Sequence, residues 1–235
     1  MTLILGTEAA DNLTGLIEND EIYGLGGDDT LKGLEGDDTM NGNLGADVIY
    51  GSPGNDLLFG GKGDDVLIGE SGKNQVFGNL GSDLLFGGND SDSLFGGQGI
   101  DLLAGGGGND YVSGDLGDDF IAGIDVDSAT PGAGEIDTLV GGAGLDGFYL
   151  GSSDSSTYYA AGGLTDFAFI SDFTVGQDYF AYKTNDVITF KDLTLSGYGT
   201  GAGIYVNKSG LEELIAFLPG VQANQLNLNT DFKPI

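Results

Sequence analysis

From Gly24 to Ala122 an apolar residue returns at every ninth position: Leu31, Met40, Ile49, Leu58, Leu67, Val76, Leu85, Leu94, Leu103, Val112 and Ile121. Around each stands the same phrase, beginning GLGGDDTLK, GLEGDDTMN, GNLGADVIY, GSPGNDLLF, GGKGDDVLI and said eleven times without a break in register. Glycine opens each unit and usually recurs at position four, an acid fills position six in all units but one, and position eight is apolar. A fixed period of this kind predicts a repeat architecture. Glycine tolerates positive φ and close backbone approach, so positions one to four predict a tight curled loop. Positions seven to nine predict a short strand whose side chains alternate between two faces. Position eight then points into a core and positions seven and nine point out. Two nonapeptides complete one turn of a flattened coil, strand, loop, strand and loop, so loops on one side recur every eighteen residues. The fold class is all-β.

That recurrence predicts two ladders of acids, Asp29, Asp47, Asp65, Asp83, Asp101 and Asp119 on one side and Asp20, Asp38, Asp56, Asn74, Asp92 and Asp110 on the other. Stacked turns of a parallel coil lie about 4.8 Å apart, a spacing at which bare carboxylates repel, so a cation is expected between them. Only oxygen ligands are on offer: the position-six carboxylates and carbonyls of the glycine loops. A hard cation taking six to eight oxygens in irregular geometry is calcium, whereas magnesium demands a stricter octahedron and keeps its waters.

The phrase resembles the RTX calcium-binding nonapeptide repeat, G-G-x-G-x-D-x-(apolar)-x, of bacterial proteins exported by type I secretion, over residues 6 to 149. The resemblance implies a right-handed parallel β-roll with two nonapeptides per turn. Calcium would sit between loops eighteen residues apart, each ion taking an Asp from both loops together with backbone carbonyls. The implied ligands are Asp11, Asp20, Asp29, Asp38, Asp47, Asp56, Asp65, Asp83, Asp92, Asp101, Asp110, Asp119, Asp137 and Asp146. Asn74, preceded by Lys73, replaces the acidic ending of its loop, so ions on either side of it should be weak or missing. Asp90 stands where glycine is expected, and Asp tolerates the left-handed conformation better than most residues.

Composition agrees with this and removes other function classes. The chain has 235 residues, 46 of them glycine, and a formal net charge of −30. Such acidity argues against nucleic acid and anionic membrane surfaces as partners, and bound calcium turns the excess into a ligand supply. With neither cysteine nor histidine, the chain has no disulfide framework, no HExxH zinc site, no Ser-His-Asp triad and no imidazole base. No apolar run reaches the length of a membrane span, and MTLILGTEAADN lacks the basic start and apolar stretch of a secretory signal. By resemblance, export uses the type I machinery and a C-terminal signal, which places the protein outside the cell or on its surface. One inward apolar side chain in nine residues is thin against the ordering cost of a glycine-rich chain. The repeat region is therefore expected to be largely unfolded without calcium and to fold as the ion binds.

Residues 1–23 read as N-terminal capping repeats that keep Asp11, Asp20, Leu13 and Ile22 but lose the position-four glycine. Residues 24–149 read as the calcium-binding roll, with an irregular unit at 123–131 that bulges in place of one repeat. Asp125 and Asp127 there invite an EF-hand reading, which fails for want of the mid-loop glycine and the final glutamate. Residues 150–235 read as a β-rich cap containing the export signal, and alternating apolar residues around Gly176 predict a hairpin. The segment Asp166 to Asp178 resembles D-x-x-x-I-x-D-F-x-x-G-x-D, a pattern found after RTX arrays, in which Asp172 and Asp178 read either as ligands of one more calcium or as surface acids. The outward column Phe59, Phe77 and Phe95 reads as an aromatic stack that stiffens the ladder. The whole reads as a calcium-binding structural module that folds on meeting extracellular calcium, and not as an enzyme, since the acids are committed to metal. The alternatives are surface recognition or self-assembly, such as glycan adhesion or a surface layer, and, behind these, an accessory module of a carbohydrate-active enzyme.

Overall fold

The computed structural model describes residues 1–124, 134–150, 167–182, 187–208 and 211–234. The chain winds as a parallel β-solenoid whose successive strands fall alternately into two sheets, one of twelve strands and one of ten. Each strand hydrogen-bonds to the strand two places along the chain, so Leu58 lies beside Val76 in one sheet and Leu31 beside Ile49 in the other. The position-eight residues from Leu31 to Ile121 are 0–1 % exposed and form one continuous core column between the sheets. The period of nine therefore becomes a core because every strand is short and every turn is alike. On the outside, Phe59, Phe77 and Phe95 stack at 5.1 and 4.9 Å between ring centroids. The spacing of the parallel ladder brings the rings into contact.

The first strand, Thr2–Leu5, pairs with Asp20–Gly26, so stacking starts at the N-terminal end of the described chain. At the irregular unit the offset changes: Tyr111 pairs with Thr138 and Phe120 with Gly147, twenty-seven residues apart instead of eighteen. The pairing therefore passes over nine residues between the strand Phe120–Ile124 and the strand Ile136–Val140, and both sheets resume there. Residues 125–133, including Asp125 and Asp127, lie outside the described residues.

The expected hairpin around Gly176 does not form. Phe167–Ile170 pairs in parallel with Ile136–Val140, whereas Tyr179–Tyr182 pairs in parallel with Gly147–Tyr149 in the opposite sheet. A strand, a tight glycine loop and a second strand is the local pattern of a hairpin and of one solenoid turn alike. Here the exposed strand edges of the roll provide the partners. Beyond it, Val187–Leu195, Gly199–Lys208 and Leu211–Pro219 form an antiparallel meander joined to the twelve-stranded sheet through Ala168 and Ala216. Phe232–Pro234 adds a last parallel strand to the other sheet. This end holds a denser core: Phe173 lies 4.6 Å and Phe232 4.9 Å from Phe180, ring centre to ring centre.

The loops carry two left-handed residues per repeat. At position four this is glycine, as at Gly81 with φ 141°, where an added Cβ would overlap the backbone carbonyl of Gly63 in the preceding turn. Asp90, the one exception to glycine at position four, is not left-handed. Its carboxylate instead accepts the Gly72 N–H at 2.9 Å, a contact that elsewhere goes to a main-chain carbonyl of the next turn, as from Gly54 to Ser71. Gly134 is also left-handed but has nothing within 4 Å of its Cβ position. Gly134→Ala should thus cost only the left-handed strain of about 1 kcal/mol. Gly81→Ala should cost several times that, because the clashing atom is backbone. Thermal melts of both variants in calcium would check this, with the larger loss of melting temperature expected for Gly81→Ala.

Candidate metal centre

Position six is where each strand leaves its loop, and the solenoid stacks these residues directly above one another. In each rung one carboxylate oxygen, Oδ1, accepts the backbone N–H of the position-six residue one turn earlier. The first ladder runs from Asp11 to Asp29, Asp47, Asp65, Asp83, Asp101 and Asp119 at 2.7–2.9 Å. It continues to Asp146 at 3.0 Å and Asp178 at 3.2 Å. The second starts from the Thr2 N–H and passes through Asp20, Asp38, Asp56, Asn74, Asp92, Asp110 and Asp137. All are buried except Asp11, which is half-buried. A strict period of eighteen would set Asp137 above Asp119. The change of offset puts it above Asp110 and puts Asp146 above Asp119.

The other oxygen is the informative one. Oδ2 of Asp29, Asp38, Asp47, Asp56, Asp65, Asp83, Asp92, Asp101, Asp110, Asp119 and Asp146 is buried with no hydrogen-bond partner. A buried charged oxygen without a donor costs several kcal/mol, and eleven in register make a demand for positive charge. Each sits against the glycine that opens its own loop: a Cβ on Gly33 would meet both Asp38 Oδ2 and, at 2.7 Å, the Gly51 carbonyl oxygen, and a Cβ on Gly51 would meet Asp56 Oδ2 and the Gly69 carbonyl. Glycine at position one thus keeps open a cradle lined by carboxylate and carbonyl oxygen. Among the described residues no three acidic side chains converge on one point, so an ion here must draw part of its shell from the main chain. Such an all-oxygen set with several carbonyls fits calcium.

Asn74 shows what happens when the charge is removed. Its Oδ1 accepts the Asp56 N–H, while its Nδ2 takes the place of the orphaned oxygen and donates to the Gly72 carbonyl at 3.0 Å. Both polar atoms of the Asn74 side chain thus have partners within the protein.

The family model for the RTX calcium-binding nonapeptide repeat, in its four-copy form, matches residues 5–40, 25–58, 32–67, 50–85 and 86–121. Through these repeats the chain belongs to the RTX family. The RTX repeats bind calcium. No curated protein matches the chain. Among solved structures it is similar to the solution structure of the AlgE6R3 subunit from the Azotobacter vinelandii mannuronan C5-epimerase. The two are 21 % identical over 74 % of this chain and 80 % of that one, with a TM-score of 0.28, too low to bear on the argument. Among the described residues no helix is long and apolar enough to cross a membrane.

Two ladder residues fall outside the repeats. Asp178, on the post-array segment, accepts the Asp146 N–H, and Asp231 accepts from Gly176 and hands its carbonyl to the Phe180 N–H. Asp231 escapes a periodic reading because Phe232, its apolar partner in the stack, follows it by one position instead of two. Asp172 lies off the ladder, taking the N–H groups of Gly141 and Gly142 at 2.9 and 2.8 Å.

Burial pushes the RTX carboxyls up from the ordinary 3.8, to about 7 at Asp56, Asp65, Asp92 and Asp119 and about 6 at Asp83 and Asp146. At Asp110, burial and then the charge of Asp137 push it to about 9. Asp20 moves the other way because the Leu16 amide holds its carboxylate. For the raised groups the folded state without metal binds more protons than the unfolded chain. The stability they lend is complete below 3.8 and is lost as pH rises through 6 to 9. In chelator, lowering pH from 9 to 5.5 should therefore raise β-structure and melting temperature, followed by circular dichroism. A folded fraction that falls over the same range would contradict the orphaned-oxygen geometry.

Proposed function

We propose that this chain is a calcium-dependent folding module of a secreted or cell-surface protein, whose roll assembles when it meets calcium outside the cell. The observation that carries this is the set of eleven buried carboxylate oxygens without donors in the two ladders, eight of them sharing the cleft at their opening glycine with a main-chain carbonyl. In this reading Asp29, Asp38, Asp47, Asp56, Asp65, Asp83, Asp92, Asp101, Asp110, Asp119, Asp137 and Asp146 are the side-chain ligands and the loop carbonyls complete each shell. Calcium at the level of extracellular modules, dissociating at about 10⁻⁴–10⁻³ M, would leave the chain open inside a cell and closed outside. An open, acidic chain suits passage through a type I export channel, which the family resemblance favours. Residues 1–23 then cap one end, 24–149 form the roll, and 150–235 cap the other end and carry the export signal.

Titrating the chelated chain with calcium should give a cooperative gain of β-structure by circular dichroism, with on the order of ten ions per chain by calorimetry. One or two ions, or a β-signal already complete in chelator, would remove the reading. Asn74→Asp should restore the missing charge and raise the ion count by one or two. An unchanged count would mean that the carboxylates at position six do not hold the ion.

Self-association is the second reading. On the outer face of the ten-stranded sheet, Val48, Val66, Leu84, Leu102 and Phe120 stack beside Tyr50, Ile68, Phe86 and Ala104 with no charge between them. Leu84, Phe86 and Leu102 are 37–40 % exposed, enough to offer a contact to a second roll. Light scattering of the calcium-loaded chain tests it: a monomer mass at all concentrations rules it out.

A further inference from the structure

Four carboxylates of the ladders differ from the rest in one respect. Oδ2 of Asp11 accepts the Thr7 N–H at 2.6 Å and that of Asp20 the Leu16 N–H at 2.6 Å. At the other end Oδ2 of Asp178 accepts the Thr174 N–H and that of Asp231 the Asn227 N–H, both at 2.7 Å. In every case the donor is the residue four before the acid. None of these four oxygens is among the orphaned ones.

The difference traces to one backbone torsion. In every rung with an orphaned oxygen the residue four before the acid is left-handed, including side-chain-bearing residues such as Leu25 (79°), Leu34 (80°), Asn43 (75°), Ser52 (74°) and Asp115 (70°). A non-glycine residue held there is strained by about 1 kcal/mol or more. Where it is left-handed, no amide donates to Oδ2 of the acid. Thr7, Leu16, Thr174 and Asn227 are not left-handed, and their amides close onto the carboxylate instead. The closed turn also lacks the double glycine frame: position four is Ala9, Glu18 and Asn229 in three of the four, and position one is Phe173 and Leu226 in the last two.

We propose that Asp11, Asp20, Asp178 and Asp231 are cation-free turn locks, so that both ion ladders begin one turn in from the N-terminal end of the stack and the ladder that starts at Asp11 carries no ion at its last two acids, Asp178 and Asp231. This rests on the calcium reading of the open rungs. An amide brings the positive pole that an ion brings elsewhere, and at Asp11 the Thr7 hydroxyl, 2.8 Å away, donates to the same oxygen as well. Asp11 and Asp20, assigned as ligands from the repeat pattern, therefore belong with Asp178 and Asp231 and not with the open rungs. The locks let the two end turns hold their shape at calcium levels that leave the interior rungs vacant, so that the strands beside them present edges in register to the next turn.

The test compares bound calcium per chain, by equilibrium dialysis, in the wild-type chain, in Asp101→Asn, and in Asp20→Asn, Asp178→Asn and Asp231→Asn. Asp101→Asn should lose one or two ions. The three lock variants should keep the wild-type count and lose melting temperature only. A loss of ions from any lock variant equal to that of Asp101→Asn overturns the proposal. Hydrogen exchange of the wild-type chain in saturating calcium gives a readout that needs no variant. Slow exchange at the Thr174 and Asn227 amides is expected, and exchange as fast as in exposed loops would mean that these carboxylates have turned to a metal. A wild-type chain that binds no calcium would overturn the ladder assignment itself, whereas calcium retained by wild type and lost in Asp178→Asn overturns only the locks.

Discussion

The structure depends on the burial of like charges in a column. Each turn of the solenoid sets a carboxylate over the one below, removes it from water, and gives one of its oxygens a main-chain donor and the other none. Hydrogen bonding along the ladder fixes the register of every turn through Oδ1, so the carboxylates cannot be moved apart without unpicking the strands. Calcium is the solution open to a chain whose only ligands are oxygen. In the proposed function the charge that makes the unliganded roll unfavourable is also the charge that binds the ion, which would couple folding to calcium without any separate switch.

The apolar part of the design is correspondingly economical. A single inward side chain per strand, buried at every turn from Ile22 to Ile121, gives continuity but little burial per residue. The far end of the chain is built differently, with Phe148, Phe173, Phe180, Phe190 and Phe232 gathered in contact under the meander. Hydrophobic burial is the larger resource there, and the charged rungs that reach it are already completed by amides. Along one solenoid the architecture passes from carboxylate ladders to an aromatic core.

Glycine supports the ladder in two ways that the repeat consensus merges. At position one it is needed for space, because the orphaned oxygen and a neighbouring carbonyl lie where a Cβ would be. At position four it is needed for left-handed φ and for clearance from the turn below. The second left-handed position of each loop is filled by leucine, asparagine, serine, glutamate or aspartate as readily as by glycine, strain that the stack sustains because each loop is pinned by its neighbours.

Most of this was legible in the residues. A nine-residue period with one apolar position dictates short strands, a coil and a single-file core, and acids at a fixed place in that period dictate ladders with eighteen-residue spacing. Asn74 announced its own gap. Those conclusions need only local geometry and periodicity, which a sequence displays directly. What tertiary structure decided lies wherever periodicity fails. The change of pairing offset from eighteen to twenty-seven residues set Asp137 above Asp110, and strand edges seeking partners made a solenoid turn of the segment around Gly176 where a hairpin was expected. Asp231 joined a ladder from outside the repeat register, and Asp90 answered a missing glycine with its side chain. The division between open and closed rungs was hidden because it turns on one backbone torsion four residues before each acid, and the residue type there does not give its sign: Leu25 and Leu34 are left-handed and Leu16 is not.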